Sequence, residues 1–288
     1  MKILFATLTL SDEPLGIMYL STILKKQGHQ VRGVMMNREN FPEVVKEFKP
    51  NLIGYSGMDC EKVPILKANT EVKQTHKDIF SIIGGPLGTF SPDIINNKYI
   101  DAVCQGEGEE AMPELINALD KGNDISAIKN FSIKIDGKVY KNPVRPPIKN
   151  IDSIAFPDRT IFAHRKEPGG LYNVMEGRGC PYNCTYCHNK KYKEIFGLHA
   201  GYINFRSIDN VCAELKEIKA KHNATMIWFQ GDHFYIKMKE LEELAEKYPA
   251  EVGVPFICSL RPEALDNKER LKYLKKAGCK KIYTGCEA

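Results

Sequence analysis

No apolar run in this 288-residue sequence approaches the ~18 residues that a membrane-spanning helix needs. The opening Met1-Lys2-Ile3-Leu4-Phe5-Ala6 is apolar but runs into Ser11-Asp12-Glu13 with no small-residue cleavage pattern, so it reads as a strand rather than an export signal. A marked basic excess is missing too. Lys and Arg number 41 against 36 Asp and Glu, a net charge of +5, split 19 to 18 over residues 1–150 and 22 to 18 over 151–288. Neither half has the counterion-releasing surface that nucleic-acid binding requires. Internal repeats and low-complexity tracts are absent, and 43% hydrophobic with 27% charged residues is the composition of a globular chain. At ~100–200 residues per domain, two domains are expected. What the sequence does have is cysteine, nine in all. An odd number, in a chain of this size without an export signal, argues for a reducing, cytoplasmic setting and for thiols that ligate or react rather than a disulfide framework.

The first 120 residues alternate strand and helix signals. Short apolar runs at 2–8, 30–36, 51–58, 79–85 and 102–106 read as buried strands. Helical patterns lie at 15–26, closed by Gly28, at 41–48, with Pro42 in its first turn, and at 109–119. Repeated strand–helix units predict an α/β fold with a doubly wound, Rossmann-like parallel sheet and ligands at the carboxyl ends of its strands. The loop after the first strand, Thr9-Leu10-Ser11-Asp12-Glu13-Pro14, lacks the G-x-G-x-x-G of a dinucleotide site. Glu107, Glu109 and Glu110 would repel a phosphate at the fifth-strand loop, so nicotinamide and flavin are disfavoured. Alternating residues at 129–142 around Asp136-Gly137 signal a hairpin, and Pro143, Pro146, Pro147 and Pro157 follow. Residues 126–168 are therefore expected to be a hairpin and proline-rich linker between a domain at 1–125 and another at 169–288. In the latter, strand signals at 171–175, 226–230, 255–260 and 281–284 alternate with helices at 209–221, 238–248 and 268–277, as in a barrel or part of one.

The chemistry centres on Gly177-Arg178-Gly179-Cys180-Pro181-Tyr182-Asn183-Cys184-Thr185-Tyr186-Cys187-His188. Three thiolates spaced C-x3-C-x2-C in a loop after a strand can converge on one soft metal centre. They suit a [4Fe–4S] cluster with one iron left open for a substrate. Cys184–His188 also spells the c-type haem attachment pattern C-x-x-C-H, but that chemistry belongs to exported proteins. Zinc would need the adjacent Cys187 and His188 to reach one tetrahedral ion, and no second C-x-x-C lies nearby. Plain thiols crowded this closely would be prone to oxidation.

This loop resembles the cluster motif of the radical S-adenosylmethionine (SAM) superfamily, with the aromatic Tyr186 before the last cysteine. The resemblance continues upstream. The stretches Pro14-Leu15-Gly16-Ile17-Met18-Tyr19-Leu20, Lys49 to Ser56, Gly84-Gly85-Pro86 with Thr89, and Gly106-Glu107-Gly108-Glu109 are similar to the cobalamin-binding domain fused to such cores. It also runs downstream through 227–234, Ser259-Leu260-Arg261 and Gly285-Cys286-Glu287, covering nearly the whole chain. The resemblance implies that Cys180, Cys184 and Cys187 hold the cluster. It places Gln230, Gly231 and Asp232 near the SAM amino group, although many members carry a second acidic residue where Gly231 stands. Ser259, Arg261 and Glu287 fall near its ribose and carboxylate, where Arg261 can pair bidentately. For cobalamin it implies Leu10, Pro14, Leu15, Gly16, Tyr19, Ser56, Gly57, Met58, Gly84, Gly85, Pro86, Thr89, Gly106 and Glu107. Gly57, Gly84 and Gly85 would let an uncharged macrocycle approach closely. The D-x-H-x-x-G motif that supplies a histidine to cobalt is absent, and His29 and His76 precede strands, at the wrong edge.

The expected function is that of a radical SAM enzyme that makes a 5′-deoxyadenosyl radical and transfers a methyl group from cobalamin to an unactivated carbon. A small molecule or natural product would be the substrate and flavodoxin or ferredoxin the electron donor. Cyclisation or rearrangement is the alternative chemistry, and a zinc-binding protein a further alternative. Such cores usually have six βα units, whereas four strands are legible here, so a partial barrel truncated after its fourth strand is expected. A non-catalytic cobalamin or cluster carrier is the corresponding alternative.

Overall fold

The computed structural model describes residues 1–8, 13–162 and 169–285. Leu10, Cys286 and Glu287 lie outside these residues. The chain divides into two compact units, 1–148 with 155–163 and 149–154 with 164–288.

The first unit runs β1 (Lys2–Thr7), α1 (Leu15–Lys26), β2 (Gln30–Met35), α2 (Phe41–Phe48), β3 (Leu52–Ser56), α3 (Lys62–Thr75), β4 (Phe80–Gly84), α4 (Gly85–Phe90), β5 (Ala102–Cys104), α5 (Ala111–Lys121), β6 (Phe131–Ile135) and β7 (Lys138–Lys141). Its sheet has the order β2-β1-β3-β4-β5-β6-β7, with β1 to β5 parallel. Parallel strands are covered on both faces, which is why they are unbroken apolar runs in the sequence. Ile3, Leu4, Ala6, Leu52, Ile53, Ile83 and Val103 are buried. The strand order reverses at β1, so the loops after β1 and β3 flank a switch point, where such sheets bind ligands.

Helices α1 and α2 match the sequence expectation. Asn40 caps α2, its side chain accepting from the Glu43 N–H, and Lys49 ends it in a left-handed turn. Helix α5 sits two residues later than expected, running to the left-handed Gly122. Helix α3 is not signalled by apolar periodicity because half of its buried stripe is polar. Ile65 and Val72 share it with Asn69 and Lys73. Asn69 donates to the Tyr99 carbonyl at 2.7 Å and accepts from Ser81 Oγ at 2.7 Å, while Lys73 Nζ pairs with Asp101 at 2.6 Å.

The expected hairpin is present, with φ of 49° at Asp136 and 78° at Gly137, the signature of a type I′ turn. It is not part of a linker, however. β6 pairs antiparallel with β5, and β7 with β6, extending the first sheet to seven strands. The reason is burial: Phe131 and Ile133 are fully covered, and the hairpin satisfies a β5 edge that would otherwise be open. The boundary expected at 125, and the linker expected over 126–168, are corrected accordingly.

The second unit runs β8 (Leu171–Val174), β9 (Gly177–Arg178), α6 (His188–Phe196), β10 (Asn204–Phe205), α7 (Ile208–His222), β11 (Met226–Phe229), α8 (Met238–Glu251), β12 (Phe256–Ser259), α9 (Lys268–Ala277) and β13 (Cys279–Tyr283). β8, β11, β12 and β13 form one parallel sheet, ordered β13-β12-β11-β8. These are the four strands expected. Its core is aromatic: Phe229, Phe234, Tyr248 and Phe256 are buried, and Phe256 lies 5.2 Å from both Phe229 and Tyr248, ring to ring. Ser207 and Asn267 cap α7 and α9 by accepting main-chain N–H bonds. Among the described residues no helix is long and apolar enough to cross a membrane.

Candidate functional site

In the second unit the cysteine loop leaves the carboxyl end of β8. Its entry and exit are pinned by the short antiparallel pair β9–β10. Gly177 and Gly179 are required there. A side chain at Gly177 would meet the Phe205 ring at 2.5 Å, and Gly179 has φ of +85° with Tyr202 at 2.8 Å. Cys180, Cys184 and Cys187 are all free and half-buried. Cys187 donates its N–H to the Cys184 carbonyl at 3.1 Å and is the N-cap of α6.

The ends of β11 and β12 come to the same loop. Gly179 N–H donates to Asp232 Oδ2 at 3.1 Å, and His188 Nε2 lies 3.6 Å from Asp232 Oδ1. Burial alone would push the Asp232 carboxyl up. Hydrogen bonds from His188, Asn189 and Gly179, with the His188 charge, hold it below its ordinary range, and His188 is raised in turn. Arg261 donates to Cys184 Sγ at 3.5 Å, pairs with Glu263 at 2.9 Å and lies 4.1 Å above the Tyr182 ring, which stacks on His233. A cavity of about 300 Å³ opens here, lined by Asp232, His233, Ser259, Arg261, Tyr283 and Thr284. The structure thus gathers Asp232, Ser259 and Arg261 around one space. Gln230 is close by in sequence, and its buried Nε2 has no hydrogen-bond partner among the described residues. Tyr186 is two-thirds exposed.

Sequence reasoning missed two residues. Glu176, 1% exposed, accepts the Gly231 N–H at 3.0 Å, and a side chain at position 231 would strike its carboxyl at 2.8 Å. Burial pushes its pKa up to about 8. Lys193, on α6, is buried and donates to carbonyls of the cysteine loop. Neither has a sequence signal, because a lone Glu or Lys is ordinarily solvated.

Among the described residues no three His, Cys, Asp or Glu side chains converge on a single ion. A four-iron cluster does not need such convergence, since each thiolate takes a different iron. Three half-buried cysteines in one pinned loop, one with a guanidinium donor on its sulfur, fit that group.

In the first unit the carboxyl-edge loops are tied together. Leu87 N–H donates to the Gly57 carbonyl at 2.9 Å, and Gly106 N–H to Thr89 Oγ1 at 3.0 Å. Gly85 has φ of +66°, and a side chain there would meet Ser56 Oγ at 2.6 Å. Gly84, Pro86 and the 59%-exposed Met58 are presented beside it, while Gly16 opens to free space. Leu15 and Tyr19, also expected at the site, are buried, and Pro14 caps their helix. Glu107 accepts the Ile148 N–H at 2.6 Å. His29 and His76 precede β2 and β4, at the opposite edge, so neither histidine belongs to these loops. A backbone-lined, glycine-rich and partly apolar edge fits a large uncharged ring system.

Comparison with known proteins decides the family. Residues 1–116 match the B12 binding domain and residues 176–288 the radical SAM superfamily. The chain joins a B12-binding domain to a radical SAM domain. These domains imply cobalamin, a [4Fe–4S] cluster and SAM as cofactors. An uncharacterised methyltransferase of Pyrococcus horikoshii, PH0819, is 28% identical over 96% of this chain and 61% of its own length. The anaerobic magnesium-protoporphyrin IX monomethyl ester cyclase of Rubrivivax gelatinosus is 25% identical over 96% of this chain and 52% of its own. The chain therefore spans about half to three-fifths of these curated relatives. The cobalamin-dependent SAM radical enzyme OxsB has the same fold, with a TM-score of 0.80 at 19% identity over all of this chain and 44% of OxsB.

Proposed function

We propose that the chain is the cofactor-binding part of a cobalamin-dependent radical SAM enzyme that methylates an unactivated carbon of a small molecule. One observation supports this above others: Arg261 both lines the cavity and donates to Cys184 Sγ, so a small-molecule space abuts the cysteine loop. When bound, the cluster and SAM supply hydrogen-atom abstraction through a 5′-deoxyadenosyl radical, and cobalamin supplies the methyl group. Cys180, Cys184 and Cys187 hold the cluster. Asp232, kept ionised by Gly179 and His188, presents a carboxylate to an ammonium group, and Ser259 and Arg261 offer donors to hydroxyl or carboxylate oxygens. Glu176 holds the turn at Gly231 by accepting its N–H. The loops at Ser56–Met58, Gly84–Pro86 and Gly106 take the corrin ring. Flavodoxin or ferredoxin is the electron donor.

The test is anaerobic reconstitution with iron, sulfide and a reductant. About four irons per chain are expected, with 5′-deoxyadenosine released from SAM, and Cys184→Ala should lose both. Equal iron and product from the two proteins would overturn the reading. Hydroxocobalamin uptake, followed by absorbance, tests the first unit, and failure to bind would remove cobalamin from the proposal. Ring closure is the second reading, favoured by the 25% identity to an anaerobic cyclase over nearly the whole chain.

A further inference from the structure

Lys193 lies on α6, six residues after Cys187, with 5% of its surface exposed. Its Nζ is 3.0 Å from the Cys180 carbonyl, 2.6 Å from that of Tyr182 and 2.9 Å from that of Ala200. An ammonium has three N–H donors and no acceptor, so all of its hydrogens are used. The three carbonyls belong to segments on both sides of α6, so one side chain ties the cysteine loop to the turn that leads out of the helix. Among the described residues Lys193 makes no ion pair. Carbonyl dipoles satisfy its hydrogens but leave a full positive charge out of water, a costly arrangement unless a negative partner compensates it. The loop it braces carries three cysteines that ligate as thiolates, and these supply the negative charge.

We propose that Lys193 is a positioning residue for the iron–sulfur cluster, bracing the cysteine loop in its ligating shape and placing a buried positive charge beside it. This rests on the reading of that loop as a cluster site. Cluster potentials depend on net charge and on hydrogen bonding around the sulfurs. A buried cation favours the reduced, more negative state, so it raises the potential. Methionine fills a similar volume but has neither the charge nor the donors. Arginine keeps the charge.

The experiment uses the full chain as wild type, Lys193→Met and Lys193→Arg. Amide hydrogen exchange over residues 180–187 is read before reconstitution. Iron and sulfide content and the midpoint potential are read after it, the latter by anaerobic titration followed in the EPR spectrum. Native fluorescence of Trp228 verifies that the second unit is folded in each protein. Lys193→Met is expected to exchange faster across the loop, to retain its cluster about 10–100-fold less tightly, as for other residues that orient metal ligands, and to show a more negative potential in what remains. Lys193→Arg is expected to restore the potential towards wild type, and it carries the test alone if the methionine variant is unfolded. Wild-type exchange and potential in Lys193→Met would overturn the inference and leave the cluster reading standing. An equal potential shift in both variants would also overturn it, since charge would then play no part. A wild-type chain that takes up no iron would overturn the cluster reading and the inference together.

Discussion

Replacing Glu176 by glutamine should abolish a fall in stability that the second unit otherwise shows as pH rises. Glu176 is 1% exposed, one oxygen accepts the Gly231 N–H, and the other has no hydrogen-bond partner among the described residues. Burial raises its carboxyl from 4.5 to about 8, outweighing the main-chain N–H bond it accepts from Gly231, with nearby Asp232 adding to the rise and Arg206 opposing it. The native state therefore holds a proton that the unfolded chain releases. Stability is full below about pH 4.5, declines from there, and the penalty is complete above about 8. At about 1.4 kcal/mol per pH unit across that window, the cost approaches roughly 5 kcal/mol, and relaxation or water entry lowers it towards roughly 2. Glutamine keeps an acceptor for Gly231 and cannot ionise. Trp228, the only tryptophan, lies on β11 with its ring 5.5 Å from that of Tyr283, so its fluorescence reports this unit alone. Urea unfolding followed at Trp228 from pH 5 to 9 should give curves that diverge with pH, with Glu176→Gln the more stable at the alkaline end. Parallel curves across the range would refute a buried, protonated Glu176.

Two further substitutions test the first unit, each read by thermal unfolding in circular dichroism. Gly88→Ala puts a methyl group 2.6 Å from the Cys104 carbonyl oxygen and 2.8 Å from that of Ile83, both rigid main chain, so a loss of about 1–3 kcal/mol or more is expected; an unchanged melting temperature would show that α4 does not pack this closely. Lys73→Met removes the ion-pair partner of Asp101, which among the described residues keeps the Ser81 N–H bond and the nearby Lys134 charge. The expected cost is about 2–3 kcal/mol, below the ~3–5 of a fully buried pair because Asp101 is about a quarter exposed. A neutral result would mean that the pair contributes nothing.

Much of the fold is legible because parallel strands bury both faces. The five runs of the first sheet and the four of the second stand out as apolar segments, and Asp136-Gly137 announces its own turn. Helices α3 and α6 are not legible, since the residues they bury include Asn69, Lys73, Asn189 and Lys193, which pattern reading assigns to solvent. The hairpin's destination is equally hidden: alternation shows that Phe131 and Ile133 share a face, but not that the face closes the edge beside β5.

By itself the sequence pointed to the proposed chemistry, because the spacing of Cys180, Cys184 and Cys187 within one short loop limits which centres they can ligate. It also determined the two strand–helix domains, through local periodicity. Only the tertiary structure decided which polar groups are taken out of water. Lys193 and Glu176 acquire their roles from burial against carbonyls and against Gly231. That burial comes from segments tens of residues apart for Glu176, and from the loop before α6 and the turn after it for Lys193. No local pattern encodes the loss of solvent that makes a lysine a brace or holds a proton on a carboxylate.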